Sequence, residues 1–245
     1  MITAIVLAGG VGTRLGSDIP KQYIRVNCKM ILTYALEKLI ASDRIDGIRI
    51  VAAKEWQEEI RKDLEENRVP ADKLKGFSLP GESRQYSILN ALEDIRRDAE
   101  RTGKNTQNLA VLIHDAARPL LSEKLIRQLA DTVFEGGHTG AMPVLPMKDT
   151  VYMSEDGSCV SALLDRKQIF AGQAPEIFLF NPYYEANRKL HMEGMLLKIN
   201  GSTEPAIIEG LDVALVEGDE TNFKITTRED LTRFQELVQP MLRGR

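Results

Sequence analysis

The sequence predicts an α/β fold: a doubly wound, mostly parallel sheet with a protruding β-hairpin arm. Three observations carry that expectation. A continuous apolar run of strand length at 2–7 is echoed by the largely apolar stretches at 45–53 and 109–113, and runs of this kind suit strands covered on both faces. Helical patterns separate them at about 31–41, 55–67 and 84–101, and strand–helix alternation builds parallel sheets through right-handed crossovers. The stretch at about 149–173 breaks this alternation with two short strand candidates around a turn signal.

Residues 2–7 form the first strand and run directly into a loop containing Gly9, Gly10 and Gly12. Within the 84–101 helix, Ile88, Leu89, Leu92 and Ile95 recur at helical spacing. Ser122 ahead of Leu125, Ile126 and Leu129 reads as a capped amphipathic helix, and 139–145 as the next strand. In the arm, Val151-Tyr-Met precedes a turn at Asp156-Gly157 and a second strand at 159–164. A two-stranded hairpin is marginal alone, so its apolar residues call for a partner surface. A helix near 181–195 and strands at 212–216 and 223–225 follow, the last carrying Lys224 toward the edge where the earlier loops gather. Thr227, with an acid at the third helical position, marks the start of a closing helix that runs to about Val238.

The 245 residues suffice for one α/β domain with a large core, and 1–245 is read as a single domain with the arm inserted at about 149–173. A hydrophobic share of 43% beside 28% charged residues is that of an ordinary globular chain. The net charge of −4 is at odds with a broad basic face, so no nucleic-acid partner is expected and phosphate affinity must be local. Cys28 and Cys159 have no CxxC partners, which argues against a disulfide framework or a zinc site and leaves buried or idle thiols. Met1 leads straight into the first strand, and the apolar runs fall far below the ~20 residues that span a bilayer. A cytoplasmic protein with no membrane partner is expected.

Glycines at 9, 10 and 12 remove the Cβ atoms that would hold anionic oxygens away from the main-chain N–H groups. Arg14 and Lys21 add full positive charge to a loop that also carries Pro20. The spacing matches neither a Walker loop nor Gly-x-Gly-x-x-Gly, and the second strand ends Val51-Ala-Ala-Lys54 without the acid that a dinucleotide-dependent oxidoreductase calls for. Gly81-Glu-Ser-Arg-Gln-Tyr-Ser87 is a turn entering a helix N-terminus, with N–H donors and hydroxyls for a base edge or ribose. Arg84 in it reads either as an internal brace or as a phosphate contact. His114-Asp-Ala-Ala-Arg-Pro119 follows a strand, so Asp115 and Arg118 emerge at the carboxyl edge where open sheets place ligands. Asp115 suits ribose hydroxyls, a Mg²⁺ ion or a substrate hydroxyl. The forked guanidinium of Arg118 suits a phosphate.

Leu7-Ala-Gly-Gly-Val-Gly-Thr-Arg14 followed by Pro20-Lys-Gln-Tyr23 resembles the signature of the sugar-phosphate nucleotidylyltransferases. Within them it is similar to the cytidylyltransferases that act on 2-C-methyl-D-erythritol 4-phosphate or ribitol 5-phosphate. The likeness continues through 81–87, 114–119, Lys148-Asp-Thr150, Asp165-Arg166 and Phe223-Lys-Ile-Thr-Thr227, and so spans almost the whole chain. It implies CTP and a small polyol phosphate as substrates, Mg²⁺ as cofactor, and a homodimer in which the arm embraces a second subunit. It assigns catalysis to Arg14 and Lys21. It assigns CTP binding to Leu7, Ala8, Gly9, Gly10, Gly12, Gly81, Glu82, Ser87 and Asp115, the last also the candidate metal ligand. For the polyol phosphate it implies Arg118 and Lys224 from the same chain, with Thr150 and Arg166 reaching over on the arm. His114 is read as structural, because an ionised phosphate nucleophile needs no general base.

The chain departs from the methylerythritol phosphate pattern in three places. Glu82 replaces an aspartate, Ala174-Pro-Glu176 stands for Thr-Pro-Gln, and Ser202-Thr-Glu-Pro205 stands for Thr-Asp-Glu-Ala. Gly172-Gln173-Ala174-Pro175 is nearer to the ribitol phosphate branch. The sequence is therefore read as a cytidylyltransferase for isoprenoid precursor synthesis, with ribitol 5-phosphate as the alternative acceptor. A regulatory nucleotide-binding protein without turnover is a rival of another class, and Arg14, Lys21 and Lys224 together argue against it.

Overall fold

The first strand, β1 (Ile2–Leu7), feeds two cores: Ala4 and Val6 pack on one side of the sheet and Ile5 on the other. That is why the run is apolar without alternation. The computed structural model describes residues 1–10 and 19–239. A single 3₁₀ turn at Lys21–Tyr23 precedes a small hairpin, β2 (Arg25–Val26) and β3 (Lys29–Met30). Its tip residues Asn27 and Cys28 both have positive φ, 52° and 65°, as a tight two-residue hairpin turn requires. Then α1 (Ile31–Ala41), β4 (Gly47–Val51), α2 (Lys54–Glu66), β5 (Leu74–Ser78), α3 (Arg84–Thr102), β6 (Ala110–Asp115), α4 (Glu123–Phe134) and β7 (Gly140–Pro146) alternate along the chain. The remainder is β8 (Val151–Met153), β9 (Ala162–Leu164), β10 (Phe170–Gly172), β11 (Glu176–Leu179), α5 (Phe180–Met192), α6 (Glu204–Ile208), β12 (Val213–Glu217) and α7 (Arg228–Val238).

β5, β4, β1 and β6 are parallel neighbours in that order, and β12 is parallel to β7. Antiparallel β11 joins the two groups by pairing with both β6 and β7. β10 and β11 follow one another along the same edge of β7, since Phe170 faces Pro146 and Phe178 faces Gly140. The fold is thus an α/β sheet with helices on both faces. Leu32, Leu36, Ile60, Ile126 and Leu129 bring α1, α2 and α4 onto one face. Ile88, Leu92, Phe180 and Tyr183 bring α3 and α5 onto the other.

Local chemistry sets the helix starts. Ser83 and Ser122 accept the backbone N–H of Tyr86 and Leu125 at 3.2 and 3.3 Å, and Thr227 forms a reciprocal capping box with Asp230. Two expectations need correction. Residues 223–225 form no strand; the segment is pinned by one backbone bond, Ile225 N–H to the Ala117 carbonyl at 2.8 Å. The second strand of the arm begins at Ala162 rather than 159, because Asp156 turns the chain by accepting the N–H groups of Ser158 and Cys159. Among the described residues, β8 and β9 pair only with each other. Both cysteines are exposed free thiols, so the reading that survives is idle rather than buried. Among the described residues, no helix is long and apolar enough to cross a membrane.

Candidate active site

β1 ends between β4 and β6, with Leu7 facing Val51 on one side and Asp115 on the other. The chain then turns through Gly9 and Gly10. A Cβ on Gly9 would lie 2.5 Å from the Cβ of Pro80, so packing alone demands glycine there. Gly10 is different: nothing in the protein lies within 4 Å of its missing Cβ, and it lines a cavity of about 470 Å³. Leu7, Gly9 and Lys21 line the same cavity. Gly12 and Arg14 lie outside the described residues.

Two side chains that the sequence reading left without a role hold this loop. The Gln22 amide, buried at 3% exposure, donates to the Ala8 carbonyl at 2.6 Å and to the Gly10 carbonyl at 2.7 Å. The Tyr23 hydroxyl also donates to Ala8, at 2.7 Å, and its ring stacks on Trp56 at 4.1 Å. With their carbonyls drawn inward, the peptide units of the loop are oriented by the 3₁₀ turn that carries Lys21. Ala8 itself is buried and contributes through this carbonyl. The signal was present in Pro20-Lys-Gln-Tyr23, but only the fold shows which atoms the glutamine clamps.

Gly81, Glu82 and Ser87 line the same cavity. A Cβ on Gly81 would collide with Tyr86 at 2.4 Å, so the turn lies tight on the first turn of α3. Its N–H donates to Ser87 Oγ at 3.0 Å, while that hydroxyl donates to the Ser83 carbonyl at 2.9 Å. One lone pair of Ser87 Oγ is left to accept a hydrogen bond.

Asp115, at the end of β6, gathers the cations. Its carboxylate accepts from Arg84 Nη2 at 3.1 Å and Lys224 Nζ at 2.9 Å, with Arg118 Nε at 3.8 Å. Burial pushes the Asp115 carboxyl up, but the charges of Arg84 and Lys224 outweigh it and hold it well below the usual carboxylate range. Burial opposes the charge on Arg84, whereas Asp115 and Glu176 favour it and leave its pKa raised. Arg84 and Lys224 line the cavity, and Arg84 also braces Asp115. Glu220, four residues before Lys224, pairs with Lys148.

Arg118 is placed differently from the phosphate contact expected of it. Its Nη1 donates to the Asn222 carbonyl at 2.7 Å, tying the loop after β6 to the segment that carries Lys224, and it does not line the cavity. His114 is fully buried and donates from Nε2 to the Arg118 carbonyl at 2.9 Å; burial lowers its pKa to about 4. It is a neutral support. Thr150 and Arg166 are exposed on the arm and do not line the cavity; Arg166 Nη1 donates to the Lys148 carbonyl at 2.9 Å.

A protein-held Mg²⁺ at Asp115 does not fit this arrangement. Both carboxylate oxygens already face cations, and among the described residues no group of three or more His, Cys, Asp or Glu side chains could hold a metal.

A family model described as 2-C-methyl-D-erythritol 4-phosphate cytidylyltransferase matches residues 2–239. The chain is 33% identical over 232 residues to a protein of that name from Clostridium beijerinckii, covering 94% of this chain and 95% of the relative. It is 30% identical over 238 residues to a ribitol-5-phosphate cytidylyltransferase from Streptococcus agalactiae, covering 97% and 95%. Among solved structures, the 2-C-methyl-D-erythritol 4-phosphate cytidylyltransferase of Francisella tularensis superposes with a TM-score of 0.75 at 26% identity, covering 96% of this chain and 99% of that one. The 4-diphosphocytidyl-2C-methyl-D-erythritol synthase of Anaerococcus prevotii shares the fold with a TM-score of 0.79 at 24% identity, covering 98% and 96%. A glycine cradle and a cation-bearing wall on one cavity agree with these relationships, and the chain belongs to the 2-C-methyl-D-erythritol 4-phosphate cytidylyltransferase family, enzymes of the nucleotidyltransferase class.

Proposed function

We propose that the chain transfers the cytidylyl group of CTP to 2-C-methyl-D-erythritol 4-phosphate. An oxygen of the acceptor phosphate attacks the α-phosphorus of CTP, the bond from that phosphorus to the bridging oxygen breaks, and pyrophosphate leaves with the electron pair. Nothing needs to be deprotonated, so the protein's task is to position two anions and neutralise the charge that builds between them. The observation that carries the reading is the placement of cations from separate parts of the chain on one cavity: Lys21, on the segment after Gly9 and Gly10, and Lys224 with Arg84 on Asp115.

In this reading Lys21, with Arg14, stabilises the transferring and leaving phosphates. Ser87 Oγ accepts from the exocyclic amine of cytosine, a donor that uracil replaces with an acceptor. Lys224 and Arg84 face the acceptor phosphate. The apolar side chains exposed on the arm, Tyr152 at 60% and Leu163 at 64%, pack against a second copy of the chain. Thr150 and Arg166 then act on the partner's acceptor. Magnesium enters as part of the Mg²⁺–CTP substrate rather than as a resident ion.

Ribitol 5-phosphate is the second reading, favoured by Gly172-Gln173-Ala174-Pro175 and by the Streptococcus agalactiae relative. Pyrophosphate release from CTP, measured with each polyol phosphate, decides between them. Faster turnover of the ribitol ester would move the assignment, and no release with either would overturn it.

A further inference from the structure

Two of the three places where this chain departs from the pattern it resembles touch each other, at Glu176 and Ser202. Glu176 Oε1 accepts from Ser202 Oγ at 2.6 Å, and the Ser202 carbonyl is held by the Tyr183 hydroxyl at 2.7 Å. Glu176 opens β11 directly opposite Ile113 of β6. Side chains two residues apart on a strand share a face, so Glu176, Ile113 and Asp115 all project toward α3 and α5. Glu176 is 8% exposed, and its Oε2 has no hydrogen-bond partner among the described residues. The same holds for Nη1 of Arg84. Two opposite charges thus stand near one another with no direct ion pair between them. What passes between them is a field rather than a contact.

We propose that Glu176 is a positioning residue of the acceptor-phosphate site: anchored by Ser202 behind Arg84 and Asp115, it sets how much positive charge that cluster presents to the phosphate. This rests on the reading that the acceptor phosphate meets Lys224 and Arg84. The groups that face Glu176 are Arg84 at the start of α3, Asp115 on β6, Arg118 after it, Tyr183 on α5 and Ser202 before α6. Arg84, Lys224 and Arg118 against Asp115 alone leave two net positive charges, and an ionised Glu176 leaves one. Burial pushes the Glu176 carboxyl up to about 7, against the pull of Arg84. Its charge therefore changes in the neutral range, and a phosphate dianion is held more weakly above it than below. The glutamine of the resembled pattern cannot make this change.

The test compares wild type with Glu176→Gln using sulfate, which stays a dianion from pH 5.5 to 8.5, with affinity measured by calorimetry. Near pH 5.5 the two proteins should bind alike. By pH 8.5 the variant should bind roughly fifteen- to 270-fold more tightly, as expected for one unit charge about 10 Å from a dianion at an effective dielectric of 40 down to 20. Ser202→Ala removes the bond that favours the ionised form and should move the wild-type step to higher pH, whereas Ser202→Thr should leave it in place. The KM for the polyol phosphate should show the same divergence between wild type and Glu176→Gln, with little change in kcat. An affinity ratio that stays flat with pH, or a step unmoved by Ser202→Ala, overturns the proposal. Failure to transfer cytidylyl groups to any polyol phosphate would defeat the functional reading instead, and the sulfate comparison would still decide the part played by Glu176.

Discussion

Replacing Gln22 by glutamate changes one atom of a buried side chain from a donor to an acceptor and tests whether the glycine cradle is held from below. In the wild type the amide nitrogen donates to Ala8 and Gly10 at 2.6 and 2.7 Å. A carboxylate in its place would set an anionic oxygen against two carbonyl oxygens. Ala8 keeps its bond from the Tyr23 hydroxyl, so the loss falls chiefly on Gly10. One buried or half-buried acceptor left unpaired costs about 1–3 kcal/mol, and the repulsion adds to it. The loop can escape by rotating the Gly10 peptide, which turns its neighbouring N–H groups away from the phosphates. Gln22→Glu should therefore lower stability by about 1–3 kcal/mol in urea unfolding and weaken CTP binding about tenfold or more at pH 8, each 1.4 kcal/mol being a factor of ten. Gln22→Met, which loses the donors without adding charge, should fall between the two. CTP affinity within twofold of wild type in a folded Gln22→Glu protein would refute the idea that this amide organises the cradle.

Three further outcomes follow from the same cavity. Lys224→Ala should raise the KM for the polyol phosphate while leaving CTP binding by calorimetry nearly intact; lost CTP binding would move Lys224 to the nucleotide. CTP should be used far better than UTP, ATP or GTP, because fixed donors and acceptors at Gly81 to Ser87 are left unpaired by the wrong base, and Ser87→Ala should narrow the preference over UTP; equal turnover of ATP and CTP would remove this segment from base recognition. Mixing Arg166→Ala with Lys21→Ala subunits should restore part of the activity through hybrid dimers with one intact site, and a strictly monomeric protein in sedimentation would end the proposal that the arm acts in trans.

The parallel half of the sheet was readable because its strands are buried on both faces, and burial leaves a largely apolar run in β1, β4 and β6, interrupted in β4 by the buried Arg49. β5 and β11 escaped notice for the opposite reason. β5 reads Leu-Lys-Gly-Phe-Ser, partly exposed at the sheet edge, and β11 opens on a glutamate that no local pattern would bury. Capping sequences at Ser122 and Thr227 marked their helices because the signal and the structure both lie within four residues. Lys224 had the reverse problem: an alternating Phe-Lys-Ile suggested a strand, but no neighbouring strand pairs with it. Its position comes from Ala117, Arg118 and Asp115, more than a hundred residues earlier. The motif residues were visible in order along the chain. Which of them face the ligand space and which only brace it, as with Arg118 against Arg84, depends on contacts no spacing encodes.

Asp115 shows why that distinction matters for catalysis. Under the proposed function, Arg84 and Lys224 converge on one phosphate site; without Asp115 they would repel each other, and each could turn toward solvent or toward the triphosphate. A carboxylate held ionised at their centre keeps Arg84 and Lys224 within 3.1 Å of a common anchor while leaving a net positive face toward the cavity. The cluster is then arranged before the acceptor arrives, which is the condition under which fixed charge lowers a barrier rather than merely binding the ground state. Arg118 and His114 serve the same end one step further back, by fixing the loop after β6 against Asn222 and against itself. On this view the site's selectivity for its acceptor lies less in the groups that touch the phosphate than in the buried partners that hold their charges in place. Glu176 and Ser202, where this chain has gone its own way, are among those partners.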